Sequence, residues 1–162
     1  MGVSGSGKST LGTAIAAEWG MVFFDGDTFQ PPSNIQKMAA GIALQDDDRW
    51  PWLNALGAAV RAREPGSGAI VACSALKRSY RDRLRALIGD PLLFVLLQLP
   101  PHVLAERLTL RRGHYMPPSL LESQLDAFEP LDPDEQAIEL TADQSMTATV
   151  ASSIIAAAIG RR

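Results

Sequence analysis

The first residues of this chain constrain its fold more than any other feature. Residues 2–9 read Gly-Val-Ser-Gly-Ser-Gly-Lys-Ser and match the pattern G-x-x-x-x-G-K-[ST] at every fixed position. Glycines let successive backbone N–H groups turn toward an anion without a Cβ in the way, and the helix predicted from Ser9 would point its positive end at the same anion. The segment therefore predicts a phosphate-binding loop that lies between a strand and a helix.

The motif assigns a role to each polar residue of this loop. Lys8 is expected to bridge the β- and γ-phosphates of a nucleoside triphosphate, the Ser9 hydroxyl to bind Mg²⁺, and Thr10 to lie by the α-phosphate. No Asn-Lys-x-Asp run for guanine occurs in the sequence, so ATP and Mg²⁺ are the expected cofactors. The rest of the cradle is expected from six loop residues: Gly2, Val3, Ser4, Gly5, Ser6 and Gly7.

Beyond the loop, apolar runs of strand length alternate with stretches of helical periodicity, which is typical of βα units that build a parallel sheet. Strands are predicted at Met21–Phe24, Ala69–Cys73, Leu92–Leu97 and Ile138–Leu140. Helices are predicted at Ser9–Trp19, Ser33–Ala40, Pro51–Arg63, Lys77–Leu87, Pro101–Arg111, Pro118–Ala127 and Met146–Ile159. The expected fold class is α/β, with three α/β/α layers around a parallel sheet, in a single domain over residues 1–162.

One strand of this fold is missing from the sequence. A phosphate-binding loop normally follows a hydrophobic strand, yet only Met1 precedes Gly2. That strand would be central in a parallel sheet, so its loss would leave backbone groups of two neighbouring strands unpaired. We therefore expect a first strand that is missing or truncated, and our hypothesis is that the true start lies upstream of Met1.

Composition excludes several classes of function. The net charge of −3 and the pI near 5.3 leave no general basic surface for nucleic acid. Cys73 is the only cysteine, so no internal disulfide can form and the cytoplasm is the expected compartment. The longest strictly apolar run, Leu92–Leu97, is far shorter than the roughly 20 residues that span a bilayer, so no membrane partner is expected.

Two carboxylates, Asp25 and Asp27, follow the strand predicted at Met21–Phe24. The carboxyl ends of strands are where open α/β sheets bind their ligands. One acid could hold Mg²⁺ through water while the other accepts a hydrogen bond from an attacking hydroxyl group. The alternative is that both acids cap a turn in solvent.

Polar side chains also follow the strand Ala69–Cys73: Ser74, Lys77, Arg78, Tyr80 and Arg81. Lys77 and Arg81 are four residues apart on one helical face, which suits an anionic or polyhydroxyl substrate, although a solvated basic face is the alternative. The charged run Asp46–Arg49 precedes a predicted helix, and one interpretation is that it caps this helix as a solvated face.

A cluster of arginines, Arg107, Arg111 and Arg112, ends a predicted helix before a segment bounded by Gly113 and Pro118. A mobile lid over about residues 107–118 would bring positive charge to a transferring phosphoryl group and remove water. Cations that simply suit a helix C-terminus are the alternative.

The sequence resembles the bacterial-type gluconate kinases (gluconokinases) over essentially its whole length. The resemblance rests first on the loop Met1–Ser9, on Asp25-Gly26-Asp27, on Asp46–Arg49 with Pro51-Trp52-Leu53, and on Cys73–Lys77 with Tyr80-Arg81-Asp82. It also includes Asn34, Lys37, Met38, Arg107-Leu108, Arg111, Gly113-His114, Ser123-Gln124 and Glu129-Pro130. Gln30 departs from the pattern, because the family often has His there.

The resemblance implies a P-loop kinase fold like that of nucleoside monophosphate kinases, and transfer of phosphate from ATP to the 6-hydroxyl of D-gluconate. It also implies a homodimer. Asp27 would be the base or hydroxyl-orienting residue, Asp25 a magnesium-shell acid, Arg111 a lid arginine and Arg107 an adenine neighbour. Substrate contacts would come from Asp27, Arg49, Ser74, Lys77, Tyr80, Arg81 and Gln124, and catalysis from Lys8, Asp27 and Arg111.

Two alternatives stay open at this stage. The loop and the paired acids would also fit a kinase of another small hydroxy acid such as shikimate, although the segments Asp46–Leu53 and Ser74–Arg81 favour gluconate. A nucleotide-binding module without turnover is the other alternative, because the first strand is missing.

Overall fold

The phosphate-binding loop leads directly into a helix, as the motif predicts. The structure, a computed structural model, describes residues 1–89, 91–110, 117–142 and 146–160. Helix α1 spans Lys8–Trp19 and ends at Gly20, whose φ of +63° favours glycine. No helix in these four ranges is both long and apolar enough to cross a bilayer.

The predicted alternation of strands and helices is confirmed, with shifts of a few residues at the ends of elements. The strands are β1 (Val22–Asp25), β2 (Ala69–Ala72), β3 (Phe94–Gln98) and β4 (Ala137–Thr141). The helices after α1 are α2 (Pro32–Ala39), α3 (Asp46–Arg61), α4 (Arg78–Ile88), α5 (Pro101–Leu110), α6 (Leu121–Asp126) and α7 (Ala148–Gly160). A short 3₁₀ turn that the sequence did not predict lies at Gly26–Phe29. A second 3₁₀ turn, Pro118–Leu120, forms the start of the helix predicted at Pro118–Ala127.

Helix α3 shows the largest difference from the sequence prediction. It begins at Asp46, so the prediction that this helix starts at Pro51 is wrong. The three aspartates are its first turn, where negative side chains stabilise the exposed N–H groups, and Asp48 Oδ2 accepts a 3.0 Å hydrogen bond from the Gln45 N–H. Pro51 lies inside the helix without ending it.

The sheet consists of two parallel pairs with a gap between them. β1 pairs with β2, Val22 opposite Ala69, and β3 pairs with β4, Phe94 opposite Ala137. Within the described residues no strand joins β2 to β3.

Met1 and Gly2 lie in this gap. The Met1 amine donates to the Val95 carbonyl, the Met1 carbonyl accepts from Leu97 N–H at 2.9 Å, and Gly2 N–H donates to the Ser74 carbonyl at 3.1 Å. The loop is therefore anchored to both halves of the sheet at the carboxyl ends of the strands.

Helices cover both faces of the strands, which gives the three predicted layers. On one face, Trp52 and Leu56 of α3 and Leu84 of α4 pack with Phe94 and Leu96 of β3. On the other face, Ile15 of α1 and Ile155 of α7 pack with Leu97 and Leu140. Alternate residues of β3 thus face opposite layers, as the period of a strand requires.

Candidate active site

Some of the residues expected to bind phosphate and some of those expected to bind the acceptor meet in one cavity at the carboxyl ends of β1 and β2. Lys8 of the phosphate-binding loop, Asp27 and Arg49 all line it, although they come from three separate parts of the chain. The full lining is Ser4, Lys8, Asp27, Gln30, Met38, Ala43, Leu44, Arg49, Trp52, Ser74, Leu120, Ser123 and Gln124. One polar space therefore lies between the loop and the predicted acceptor side.

The phosphate-binding loop has the backbone shape that its glycines allow. Gly2, Gly5 and Gly7 have φ values of +134°, +84° and +92°, a region that other residues rarely adopt. A Cβ at Gly2 would lie 2.8 Å from the Leu97 carbonyl oxygen, so a side chain there would clash with backbone. At Gly7 only the Arg107 Nη1 lies within 4 Å of such a Cβ, at 3.9 Å. The loop thus keeps the open concave surface that a phosphate group needs.

Lys8 and Arg107 place two cations at this loop. Lys8 Nζ donates a 2.8 Å hydrogen bond to the Val3 carbonyl, which holds the ammonium group over the loop. Arg107 extends from α5, near Gly7, and its Nη2 donates to the Ala142 carbonyl at 3.3 Å. Ser9 and Thr10 lie in the first turn of α1, whose first N–H groups have no partner within a helix.

Asp25 and Asp27 have different roles in the turn after β1. Asp25 Oδ1 accepts a 3.0 Å hydrogen bond from the Asp27 N–H, so this carboxylate caps the 3₁₀ turn. Trp52 Nε1 donates 2.6 Å to the Gly26 carbonyl and ties the turn to α3. The sequence left open whether the two acids cap a turn or serve the ligands. Asp25 caps the turn, whereas Asp27 lines the cavity.

Arg49 is the buried cation of the cavity. Arg49 is 8 % exposed, and its guanidinium carbon lies 5.5 Å from the centroid of the Tyr80 ring. Among the residues that the structure describes, no carboxylate forms an ion pair with Arg49 at 4 Å or less. Asp46 and Asp48 interact with the guanidinium electrostatically, but neither forms an ion pair with it at that distance. The buried guanidinium therefore favours an anionic ligand in the cavity.

Lys77 and Tyr80 lie beside Arg49 but share a carboxylate instead of lining the cavity. Asp46 Oδ1 accepts hydrogen bonds from Lys77 Nζ at 2.7 Å and from the Tyr80 hydroxyl at 2.5 Å. The hydrogen bond from Lys77, and after it the one from Tyr80, holds the pKa of Asp46 below its usual range. Burial, with the hydrogen bond to Asp46, raises the pKa of Tyr80. This small network supports the wall that carries Arg49.

Comparison with known proteins gives the family. A family model described as an AAA domain matches residues 1–131. A gluconokinase of Gluconobacter oxydans is 45 % identical over 147 residues, which cover 89 % of this chain and 81 % of that protein. The chain belongs to the gluconokinase family.

Two further relatives agree with this assignment. The thermoresistant gluconokinase of Escherichia coli is 41 % identical over 157 residues, which cover 95 % of this chain and 89 % of that protein. A crystal structure of a gluconokinase from Sinorhizobium meliloti 1021 superimposes with a TM-score of 0.83 and 46 % identity, over 99 % of this chain and 89 % of the other. The three-layer P-loop kinase fold is therefore confirmed.

In this gluconokinase family member, Arg81 does not line the cavity, although a substrate contact was predicted for it. Its side chain is fully buried, and Nε and Nη2 bond the two oxygens of Glu135 at 2.6 and 2.7 Å. Nη1 donates to the Leu76 carbonyl at 2.9 Å, and further donors reach the carbonyls of Glu129 and Pro130 at 3.2 Å. The sequence prediction placed Arg81 on the substrate, whereas the structure uses all of its donors inside the protein.

Several cavity residues of this gluconokinase family member were not singled out from the sequence as site residues. Gln30 and Trp52 line the cavity, and Asn34 supports it, because its Nδ2 bonds Gln30 Oε1 at 2.9 Å and the Asp48 carbonyl at 2.8 Å. Asn34 is 2 % exposed. The sequence signal for Asn34 is a polar residue at an apolar position of a short amphipathic helix.

The remaining predicted site residues divide into two groups. Ser74 and Gln124 line the cavity, as a substrate role requires. Arg111, predicted to be the lid arginine, lies outside the described residues, as do the other residues of the predicted lid from 112 to 116. The residues that are described hold no group of three or more acidic, histidine or cysteine side chains that could by itself bind a metal ion.

Proposed function

We propose that this protein transfers the γ-phosphoryl group of ATP to the 6-hydroxyl of D-gluconate, giving 6-phospho-D-gluconate. Membership of the gluconokinase family supports the reaction. The observation that carries it is the cavity in which Lys8 of the phosphate-binding loop meets Asp27 and the buried guanidinium of Arg49. An anionic polyhydroxyl molecule is the ligand that such a cavity favours.

The residues divide the work between the two substrates. The loop amides and Lys8 bind and orient the phosphates, and Asp27 orients the acceptor hydroxyl group and takes up its proton. Arg49 offers a bidentate partner to the carboxylate of the acceptor. Catalysis in this scheme is positioning and charge stabilisation rather than covalent chemistry.

Mg²⁺ fits the oxygen atoms at the loop. Ser9 and Asp25 would hold it, directly or through water, because Mg²⁺ is usually held by few protein ligands and keeps several waters and phosphate oxygens. When bound, the ion neutralises charge on the phosphates.

Other residues are proposed for supporting roles. Ser74 and Gln124 would contact the acceptor from the cavity wall, and Lys77 and Tyr80 would hold the wall through Asp46. Arg107 would lie by the adenine, and Arg111 would bring positive charge from the lid to the transferring phosphoryl group.

Incubation of the protein with Mg-ATP and D-gluconate, followed by mass spectrometry and NMR of the product, tests this proposal. We expect a phosphate monoester on the 6-hydroxyl and one ADP per product. Lys8→Ala is the inactive control, since it removes the cation from the phosphates. Phosphorylation of shikimate but not of gluconate would overturn the assignment, and nucleotide binding without any product would indicate a binding module.

Two further proposals concern the surroundings of the enzyme. Cys73 is a buried thiol, and burial raises its pKa to about 11, which suits a protein of the reducing cytoplasm. We also propose a homodimer, by analogy with the family. Light scattering during gel filtration would give twice the 17.4 kDa mass of one chain.

A further inference from the structure

Gln124 connects the phosphate-binding loop to the acceptor cavity. Its Oε1 accepts a 2.7 Å hydrogen bond from the Ser4 N–H, across 120 residues of sequence. Ser4 is 7 % exposed, so this bond is shielded from bulk water on the side of the loop. Both residues line the cavity that also holds Lys8 and Asp27.

The loop and α6 do not need this bond to stay together. Leu121 of α6 packs in a buried apolar cluster with Val3 of the loop, Leu76, and Leu104 and Leu108 of α5. The helix is therefore already docked by hydrophobic contact. The polar bond adds a defined orientation of the loop at Ser4, which apolar packing does not give.

The chemistry of a carboxamide fixes the direction of the contact. The Ser4 N–H is a donor, so the atom that faces it must be the amide oxygen, and the two N–H donors of the same group occupy the other end of the side chain. Carboxylate and hydroxyl oxygens of an acceptor in the cavity can accept from that end. One side chain can thus bind the acceptor and orient the loop.

We propose that Gln124 is a positioning residue that couples acceptor binding to the phosphate-binding loop, so that each substrate raises the affinity for the other. The proposal rests on the proposed function, because it takes D-gluconate as the acceptor. Energetic coupling between two ligands is reciprocal and is typically about 5- to 150-fold.

The test measures the affinity of a non-hydrolysable ATP analogue with Mg²⁺ by calorimetry, with and without saturating D-gluconate. In the wild type we expect D-gluconate to tighten analogue binding at least about 5-fold. In Gln124→Met, which keeps neither the acceptor for the Ser4 N–H nor the amide donors, we expect the ratio to fall close to 1. Gln36→Met, on the exposed side of α2, is the matched control and should keep the wild-type ratio.

A second variant separates the two ends of the amide. Gln124→Glu keeps an acceptor for the Ser4 N–H. It replaces the amide donors with an oxygen and adds a negative charge, so we expect it to fold but to lose the coupling as well. Its kcat should fall at least about tenfold, since a misaligned acceptor affects the reaction step. Both variants should keep the wild-type melting temperature within a few degrees.

The outcomes distinguish this inference from the proposed function. A wild type that phosphorylates D-gluconate while either Gln124 variant retains full coupling and kcat would overturn the inference alone. A wild type that does not phosphorylate D-gluconate would overturn the proposed function, and the coupling role would fall with it.

Discussion

Gly26 shows how a single residue positions the candidate site. A Cβ at this position would lie 2.6 Å from the carbonyl oxygen of Ala72, so the turn after β1 can approach β2 only with glycine. The Gly26 carbonyl accepts from Trp52 of α3, and Asp27 follows directly. The close approach of two backbones therefore decides where the Asp27 carboxylate lies.

Gly26→Ala should reduce both stability and turnover. The new methyl group must displace backbone, which costs about 1–3 kcal/mol of the free energy of unfolding and moves Asp27. Urea denaturation and kcat measure the two effects. Gly160→Ala, at the end of α7 with nothing within 4 Å of the added atom, is the control and should change neither.

Asp27→Asn should lower kcat by about 10²- to 10⁴-fold, the usual contribution of a general base. The KM for ATP should change less than about threefold, because the proposed role concerns the acceptor. Asp126→Asn, an exposed acid outside the cavity lining, is the control. Equal losses in kcat and in ATP affinity would assign Asp27 to the nucleotide instead.

At the scale of elements, Arg81 joins α4 to the segment that leads into β4. Its guanidinium is buried with Glu135, and it also bonds the carbonyls of Glu129 and Pro130. Arg78, at the start of α4, reaches the same segment through exposed pairs with Asp132 and Asp134. The exposed pairs contribute little, so the buried pair is the one that holds the segment.

Arg81→Met should destabilise the protein by about 3–5 kcal/mol, because it leaves the Glu135 carboxylate buried without a partner. Chemical denaturation measures this loss. Arg83→Met on the exposed face of the same helix should cost less than about 1 kcal/mol. If Arg81 bound substrate instead, KM for D-gluconate would rise while stability stayed unchanged.

Glu135 also predicts how stability depends on pH. The hydrogen bond from Arg81 lowers the pKa of Glu135 from its ordinary 4.5 to about 2. Between these two values the unfolded chain binds more protons than the folded one, so the free energy of unfolding should decrease as pH falls from 4.5 to 2. Above pH 4.5 this contribution is fully present. Glu135→Gln should lose this part of the slope in acid denaturation.

At the scale of the whole molecule, the parallel strands form two pairs. In the described residues, Met1 and Gly2 connect these pairs by backbone hydrogen bonds. The helical layers then carry much of the contact between the halves, through clusters that include residues of both β2 and β3. Among the described residues, neither β2 nor β3 pairs with a third strand.

An added strand should therefore stabilise the protein. Five apolar, β-branched residues joined ahead of Met1 should pair with β2 and β3 and raise the melting temperature by several degrees, since about 1 kcal/mol corresponds to about 2–4 °C in a domain of this size. Calorimetry measures the change. An extension of five Gly and Ser residues is the control, and equal melting temperatures for both extensions would contradict the divided sheet.

The sequence by itself determined the elements of this protein and the phosphate-binding loop. Local patterns suffice there, because glycine conformations, a helix start and alternating apolar runs depend on neighbours in the chain. The start of α3 at Asp46 was missed because Pro51 looked like a helix start, whereas the acidic first turn and the Asp48 cap outweigh it.

Only the tertiary structure decided which of the predicted polar residues share a site. It brought Asp27, Arg49 and Gln124 to one cavity, and it placed Arg81 in a buried pair with Glu135, 54 residues away in sequence. Periodicity puts Lys77 and Arg81 on one helical face, but it cannot show which neighbour covers that face. Burial and the choice of partner depend on contacts between distant segments, and these form only when the chain folds.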